Sequence, residues 1–268
     1  MCDHTAGGPE SRQGGIMSET TFRGIVTTPQ PEASETGAEI LRRGGNAVDA
    51  AIAIALVQGG VDPQMCGIAG FGSLQIYLPR RGVHTCIDFH GKTPAAARPD
   101  MWAGLIESEA RDGFGFILKG RVNEIGYQAI TVPGSLKAYF EAQSEFGTMD
   151  WPDVVQPAID HAEAGVMIRP HMHFFWTHDD GSGRAVPEEA MRCTEAGRRI
   201  YFHPDGRLKR PGEMLHNPDL ARTLRRIARD GAEVFYTGDI AEQINADMKA
   251  NGGLLSIEDL RAYRTVRT

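Results

Sequence analysis

Residues 31–63, PEASETGAEILRRGGNAVDAAIAIALVQGGVDP, constrain the fold more than any other stretch, because they read as two helices meeting at a Gly-Gly-Asn hinge. Pro31 opens the first helix, and Ile40 and Leu41 mark its inner face. Gly44 and Gly45 stop it, since glycine adopts the left-handed conformation that ends a helix at little cost. Asn46 is placed to cap the second helix, with Asp49 three residues on to meet the free backbone N–H groups of the first turn. From Ala47 to Val57 almost every residue is apolar, so this helix has no wet face and is expected to run through the core.

A chain of 268 residues can bury such a helix within one large domain or two small ones. Its hydrophobic (41%) and charged (24%) fractions are those of an ordinary globular protein. The net charge of −7 and the lack of basic clusters with interleaved aromatics argue against a nucleic-acid surface. The longest apolar run, Ala50–Val57, is far short of the ~20 residues a bilayer requires, so no membrane span is expected. Residues 1–22 lack a basic start and an apolar h-region and read as a flexible leader rather than a secretory signal, with the domain running over 23–268. Cys2, Cys66, Cys86 and Cys193 show no CxxC spacing, which favours free thiols over a disulfide framework or a zinc site. Together these features point to the cytoplasm.

Along the chain, Gly24–Thr28 reads as a short strand entering the hinge, and Gly72–Leu78 with Val83–Phe89 as an antiparallel hairpin. Asp100–Ile106 reads as a short helix, and the Gly-rich segment Glu107–Tyr127 as a loop. Ser135 precedes Leu136, Tyr139, Phe140 and Phe146, the spacing of one buried helix face. Asp150 is a candidate cap at Trp151, with Pro157 giving a kink or two short helices before Gly165. Asn217-Pro218 starts a helix closed by Gly231, and Ile240, Ile244 and Met248 mark another ending at Gly252-Gly253. Ser256 with Asp259 reads as a capping box. The plain reading is one α/β domain with helices outside a sheet.

Several blocks, in order, carry a resemblance. They are the hinged helix pair; the turn Cys66-Gly67-Ile68-Ala69-Gly70-Phe71-Gly72 before a strand; Thr93-Pro94-Ala95-Ala96-Ala97; and Ile130-Thr131-Val132-Pro133-Gly134-Ser135. Trp151, Pro157-Ala158-Ile159 and Ala162-Glu163-Ala164-Gly165 follow, then Asn217-Pro218-Asp219-Leu220-Ala221, Phe235-Tyr236-Thr237-Gly238 and Gly252-Gly253-Leu254-Leu255 through Tyr263-Arg264. Singly these are common turns and helices; in sequence, from Gly24 to Arg264, they resemble the large-subunit region of the γ-glutamyltransferase family of amino-terminal-nucleophile hydrolases. The resemblance implies a four-layer αββα fold, made as a precursor that cleaves itself into two subunits. The nucleophile would be a threonine at the amino terminus of the small subunit, whose own α-amino group can act as its base. It implies no cofactor and no catalytic residue within this chain. The partner would be the small subunit, the substrate a small-molecule amide, and the assembly a heterodimer or a dimer of heterodimers.

The family's large-subunit arginine, in an RExAP context, grips the α-carboxylate of γ-glutamyl substrates. The matching position, four residues before Pro94, is His90, in Phe89-His90-Gly91-Lys92-Thr93-Pro94. A guanidinium fork binds a carboxylate bidentately and an imidazole does not, so the departure weighs against γ-glutamyl specificity. His90 is therefore expected to line a differently shaped acyl pocket, with Lys92 as a candidate positive charge; the blander reading is that His90 ends a strand and bonds nearby backbone.

Other constellations carry less. The run Arg169–Asp180 holds His171, His173 and His178, but Pro170 and the aromatics suggest a helix start, where an i, i+2 histidine pair diverges, so no metal site is expected. The Gly67–Gly72 turn precedes a strand and lacks a following Lys-Ser/Thr, unlike a phosphate-cradling loop. No serine sits in a GxSxG elbow. Two alternatives to an acylase remain open: a genuine γ-glutamyl hydrolase or transferase, and a non-catalytic large-subunit-like binding protein.

Overall fold

The computed structural model describes residues 24–268; the expected leader lies outside the described residues. Helix α1 (Pro31–Arg42) and helix α2 (Ala47–Val61) lead into strand β1 (Ser73–Leu78) and strand β2 (Val83–Asp88). A second hairpin, β3 (Ile106–Glu109) and β4 (Phe116–Leu118), precedes helices α3 (Ser135–Phe146) and α4 (Trp151–Ala164). Then come β5 (Val166–Met167), α5 (Pro170–Thr177), α6 (Pro187–Arg192), α7 (Glu195–Tyr201) and β6 (Met214–Leu215). The chain closes with α8 (Pro218–Asp230), α9 (Glu233–Tyr236), α10 (Asp239–Ala250), α11 (Ile257–Ala262) and β7 (Val266–Arg267).

The hinge forms as its residues require. Gly44 takes φ 93°, and Asn46 caps α2 by accepting from the N–H groups of Val48 (2.7 Å) and Asp49 (3.0 Å). Asp49 returns a bond to Asn46 N (2.7 Å), completing the capping box. The same carboxylate reaches across to the loop after α3. It accepts from Gln143 Nε2 (2.6 Å), Thr148 N (2.9 Å), Thr148 Oγ1 (2.6 Å) and Met149 N (3.1 Å), while Asn46 Nδ2 donates to Phe146 O (2.7 Å). Asp49 is completely buried. Burial alone would lift its carboxyl; the bonds from Thr148, Gln143, Asn46 and Met149 outweigh this and hold it below the ordinary carboxylate range.

The core closes around most of α2, while Ala47 is exposed and Ala51, Ile54 and Ala55 are only partly buried along one stripe. Helix α1 packs on it through Ala33 and Ile40, and α4 packs on both α2 and α8. The sheet contributes Ile76 and Ile87, and Trp176 of α5 is fully enclosed. A second cluster joins Val132, Leu136, Tyr236, Leu260 and Tyr263 over the carboxy-terminal helices. Strands β1 and β2 pair antiparallel from Ser73 opposite Asp88 to Leu78 opposite Val83, and β7 joins the free side of β2. The sheet order is β1-β2-β7, so β1 is an edge.

Four local expectations need correction. Gly24–Thr28 forms no strand, because no described residue pairs with its backbone. Asp100–Ile106 is not a helix: a single 3-10 turn spans Ala103–Leu105, and Ile106 begins β3. The expected loop Glu107–Tyr127 holds most of the β3–β4 hairpin, turned at Gly113 and Gly115, both with positive φ. Pro157 does not split its segment into two helices, and α4 runs as one helix although the Asp150 side chain makes no cap bond. The lost ladder bond is outweighed by Val154, Val155, Ala158, Ile159 and Ala162, all buried along the inner face.

The glycine-rich turn is held by α3. Gly70 O accepts from Gly134 N (2.9 Å) and Ser135 N (3.1 Å), and Ile68 O from Leu136 N (3.3 Å). The first N–H groups of α3 are thus met by carbonyls of the turn, not by an anion. A Cβ at Gly134 would collide with Tyr263 Oη and with Phe89 O, so a bare α-carbon is needed where turn, strand and carboxy-terminal segment converge.

Replacing Asp49 by Asn keeps the shape but removes acceptors for three segments; a loss of about 3 kcal/mol is expected, read as a lower urea midpoint. Because the folded carboxyl is depressed, its contribution is present above the unfolded value of about 3.9 and lost as pH falls through the folded value. Wild-type stability should therefore drop faster than that of Asp49→Asn below about pH 4. Gly134→Ala should cost about 2 kcal/mol through overpacking, measured the same way.

Candidate functional site

At the end of β2, the chain turns out of the sheet and runs beside the 130–135 turn. Lys92 N donates to Val132 O (3.2 Å) and Val132 N to Lys92 O (2.8 Å). Gly91 lies so near Thr131 that a Cβ there would collide with its hydroxyl. Tyr263, at the carboxy-terminal end of α11, donates its hydroxyl to His90 O (2.9 Å). Burial raises the Tyr263 phenol to about 12, so it stays a donor at neutral pH. Behind it Tyr236, also raised by burial, donates to Pro133 O (3.1 Å) and accepts from Lys137 N (3.1 Å). The backbone of His90 is thereby fixed from two sides.

The His90 side chain has one committed nitrogen and one open to solvent. Asp88 Oδ1 accepts from His90 N (2.9 Å) and lies 2.7 Å from His90 Nδ1. These two bonds hold the Asp88 carboxyl below the usual carboxylate range, so it is ionised and Nδ1 is the donor. Nε2 has no hydrogen-bond partner among the described residues, the side chain is 65% exposed, and the ring lies 5.8 Å from the Phe71 ring. Phe71, on the glycine-rich turn, is itself 66% exposed. An imidazole, an aromatic face and an anion thus sit together at the open end of the sheet.

Lys92 lies on the same segment but is occupied elsewhere. Its Nζ donates to Arg264 O (2.8 Å) and sits 4.9 Å from the centre of the Tyr263 ring. The Arg264 guanidinium bonds the carbonyls of Arg261 and Tyr263, both at 2.7 Å. The structure thus places His90 and Lys92 near each other in the fold without aiming them at one point. Sequence reasoning missed Asp88, Phe71 and Tyr263 as parts of this site. Asp88 had a local signal, a carboxylate two residues before a histidine at a strand end; Tyr263, far along the chain, had none beyond its place in the last block of the resemblance.

On the other side of the glycine-rich turn, a groove of about 540 Å³ is lined by Cys66, Phe71, Ser135, Tyr139 and Asn217, among others. Burial and the Asp62 charge push the Cys66 thiol up, which argues against a reactive thiolate. The histidine-rich run is the helix α5, and His171 Nε2 lies 2.8 Å from Gln30 Nε2. Among the described residues no three His, Cys, Asp or Glu side chains converge as metal ligands, and no helix is long and apolar enough to cross a membrane.

Comparison with known proteins agrees with this architecture. The family model described as gamma-glutamyltranspeptidase matches residues 33–268. An acylase ACY 1 proenzyme from a Pseudomonas strain is 36% identical over 247 residues, covering 91% of this chain and 42% of that protein. Glutathione hydrolase 3 of Arabidopsis thaliana is 31% identical over 242 residues, covering 90% of this chain and 34% of that protein. The crystal structure of Helicobacter pylori gamma-glutamyltranspeptidase superposes with a TM-score of 0.78 at 30% identity, over 93% of this chain and 66% of that one. This chain therefore spans well under half the length of these curated relatives. Its fold class is the αββα architecture of amino-terminal-nucleophile hydrolases, and the chain belongs to the gamma-glutamyltranspeptidase family.

Proposed function

We propose that this chain is the large subunit of a self-processing amide hydrolase or acyltransferase whose acyl group is not γ-glutamyl. The nucleophile would be a threonine at the amino terminus of a second polypeptide, activated by its own α-amino group, and the acyl-enzyme would pass to water or an amine. The observation that carries the acyl preference is that both side chains expected at the acyl pocket are committed elsewhere. His90 Nδ1 is spent on an ionised Asp88, and Lys92 Nζ on Arg264 O and the Tyr263 ring. A substrate carboxylate at His90 would meet Asp88's charge and no guanidinium, whereas a neutral acyl group meets Nε2 and the Phe71 face.

Unpaired backbone supports the need for a second polypeptide. The outer side of β1 has no partner strand among the described residues, and the backbone of Gly24–Thr28 pairs with no described strand, with Ile25 95% exposed. Open edges of this kind are normally paired or covered. The acylase relative favours the non-γ-glutamyl reading; the glutathione hydrolase relative favours the alternative, a γ-glutamyl enzyme that recognises the carboxylate through other residues.

Intact-mass and amino-terminal analysis of the protein expressed from its complete locus should reveal a second polypeptide beginning with threonine; finding none would leave a binding role. With the assembled protein, γ-glutamyl anilide should be cleaved more slowly than anilides of uncharged acyl groups. His90→Ala should lower kcat/KM for the preferred anilide by about tenfold, the loss of one hydrogen bond of about 1.4 kcal/mol. His90→Arg should shift preference toward the γ-glutamyl anilide, and unchanged preference in both variants would remove His90 from the acyl site.

A further inference from the structure

The groups gathered at the end of β2 have the polarity that suits a cation. Asp88 is ionised and lies 2.7 Å from His90 Nδ1, so that nitrogen carries the ring proton and Nε2 presents a lone pair. Nε2 has no partner among the described residues, and its side chain is 65% exposed, so an incoming donor can reach it. Phe71 adds an aromatic face, its ring centre 5.8 Å from that of His90 and its plane inclined by 33°. The positive side chains of the neighbouring segments are withheld. Lys92 Nζ donates to Arg264 O (2.8 Å), and the Arg264 guanidinium donates to the carbonyls of Arg261 and Tyr263.

The ring is also held in place. Its backbone N–H donates to Asp88 Oδ1 (2.9 Å), and its carbonyl accepts from the Tyr263 hydroxyl (2.9 Å). An acyl chain arriving here is therefore sorted by what it ends in. A carboxylate or an ether oxygen only accepts, and meets a lone pair at Nε2. A hydroxyl donates to Nε2 but gains little from the Asp88 charge or the Phe71 face. An ammonium donates to Nε2, stands across the imidazole from a partly offset carboxylate, and is drawn to an aromatic face within about 6 Å.

We infer that the acyl group taken at this strand end carries an ammonium, which donates to His90 Nε2 in the field of Asp88 and beside the Phe71 ring. The substrate class is an amide of an ω-amino acid, a cationic acyl chain without a free carboxylate. This rests on the reading of His90 as part of the acyl site, and sharpens it from a chain that is not anionic to one that is cationic.

The test is a kcat/KM series on the protein expressed from its complete locus, at about pH 8, where an ordinary imidazole is neutral and a primary amine is charged. The substrates are p-nitroanilides of straight acyl chains of matched length ending in an ammonium, a hydroxyl or a methoxy group, with the uncatalysed rate subtracted. The hydroxyl chain should exceed the methoxy chain about fivefold, the scale of one hydrogen bond. The ammonium chain should exceed the hydroxyl chain by about threefold more, the scale of one exposed ion pair. Raising the salt to about 1 M should erase the second ratio and spare the first. His90→Ala should erase the first ratio, and Asp88→Asn, which keeps an acceptor for Nδ1–H, the second. Cleavage of all three chains at equal rates, or ratios that survive both variants and salt, overturns the inference and leaves the amide hydrolase standing. Cleavage of none of them overturns the inference together with the reading of His90 on which it rests.

Discussion

A single buried carboxylate organises the amino-terminal half of this protein. Asp49 closes the capping box of α2 and at the same time accepts from Gln143, Thr148 and Met149, nearly a hundred residues on. A lone buried charge would be costly, but here its oxygens are met by donors from the hinge, from α3 and from the loop after it. The apolar α2 could slide or rotate among equivalent apolar neighbours, since hydrophobic contact is not directional. The polar attachment at its first turn removes that freedom and ties α2 to the carboxy-terminal end of α3.

The consequence reaches the candidate site through α3. Because the amino terminus of that helix is capped by Gly70 and Ile68 carbonyls, placing α3 also places the glycine-rich turn and Phe71 upon it. Gly134 permits the close approach, and Tyr263 ties the carboxy-terminal segment to the backbone of His90. Three distant stretches of chain thus converge on one strand end, the 130–135 turn through its backbone and the carboxy-terminal segment through the Tyr263 hydroxyl. Side chains at that end are then available for recognition, with His90 oriented by Asp88.

The elements that were legible in the sequence are those whose cause is local. Asn46 with Asp49, Asn217 before Pro218, and Ser256 with Asp259 all cap helices as their spacing implies. The alternation of β1 and β2 around Pro79–Gly82 likewise gave a hairpin. Misreadings fell where tertiary contacts override local preference. Pro157 is carried within α4 because buried neighbours on the inner face hold the helix together. The β3–β4 hairpin has four exposed residues in β3 and so shows no apolar alternation to read. At the candidate site, His90 was singled out only by resemblance, while its Tyr263 contact spans 173 residues and no local pattern encodes it.

The electrostatics of that strand end bear on why a histidine can stand where relatives of the family are expected to hold an arginine. An arginine beside Asp88 would split its fork between the strand-end carboxylate and a substrate carboxylate, keeping the site near neutrality. With His90, Asp88 is satisfied by one N–H of the ring and one of the backbone, and its negative charge is only partly offset. Lys92 cannot make up the difference while its ammonium lies on Arg264 O and the Tyr263 ring. In the proposed enzyme that local field would favour an uncharged acyl group over an anionic one. Selectivity in the proposed enzyme would accordingly weaken as Asp88 is neutralised, whichever residues the second polypeptide supplies.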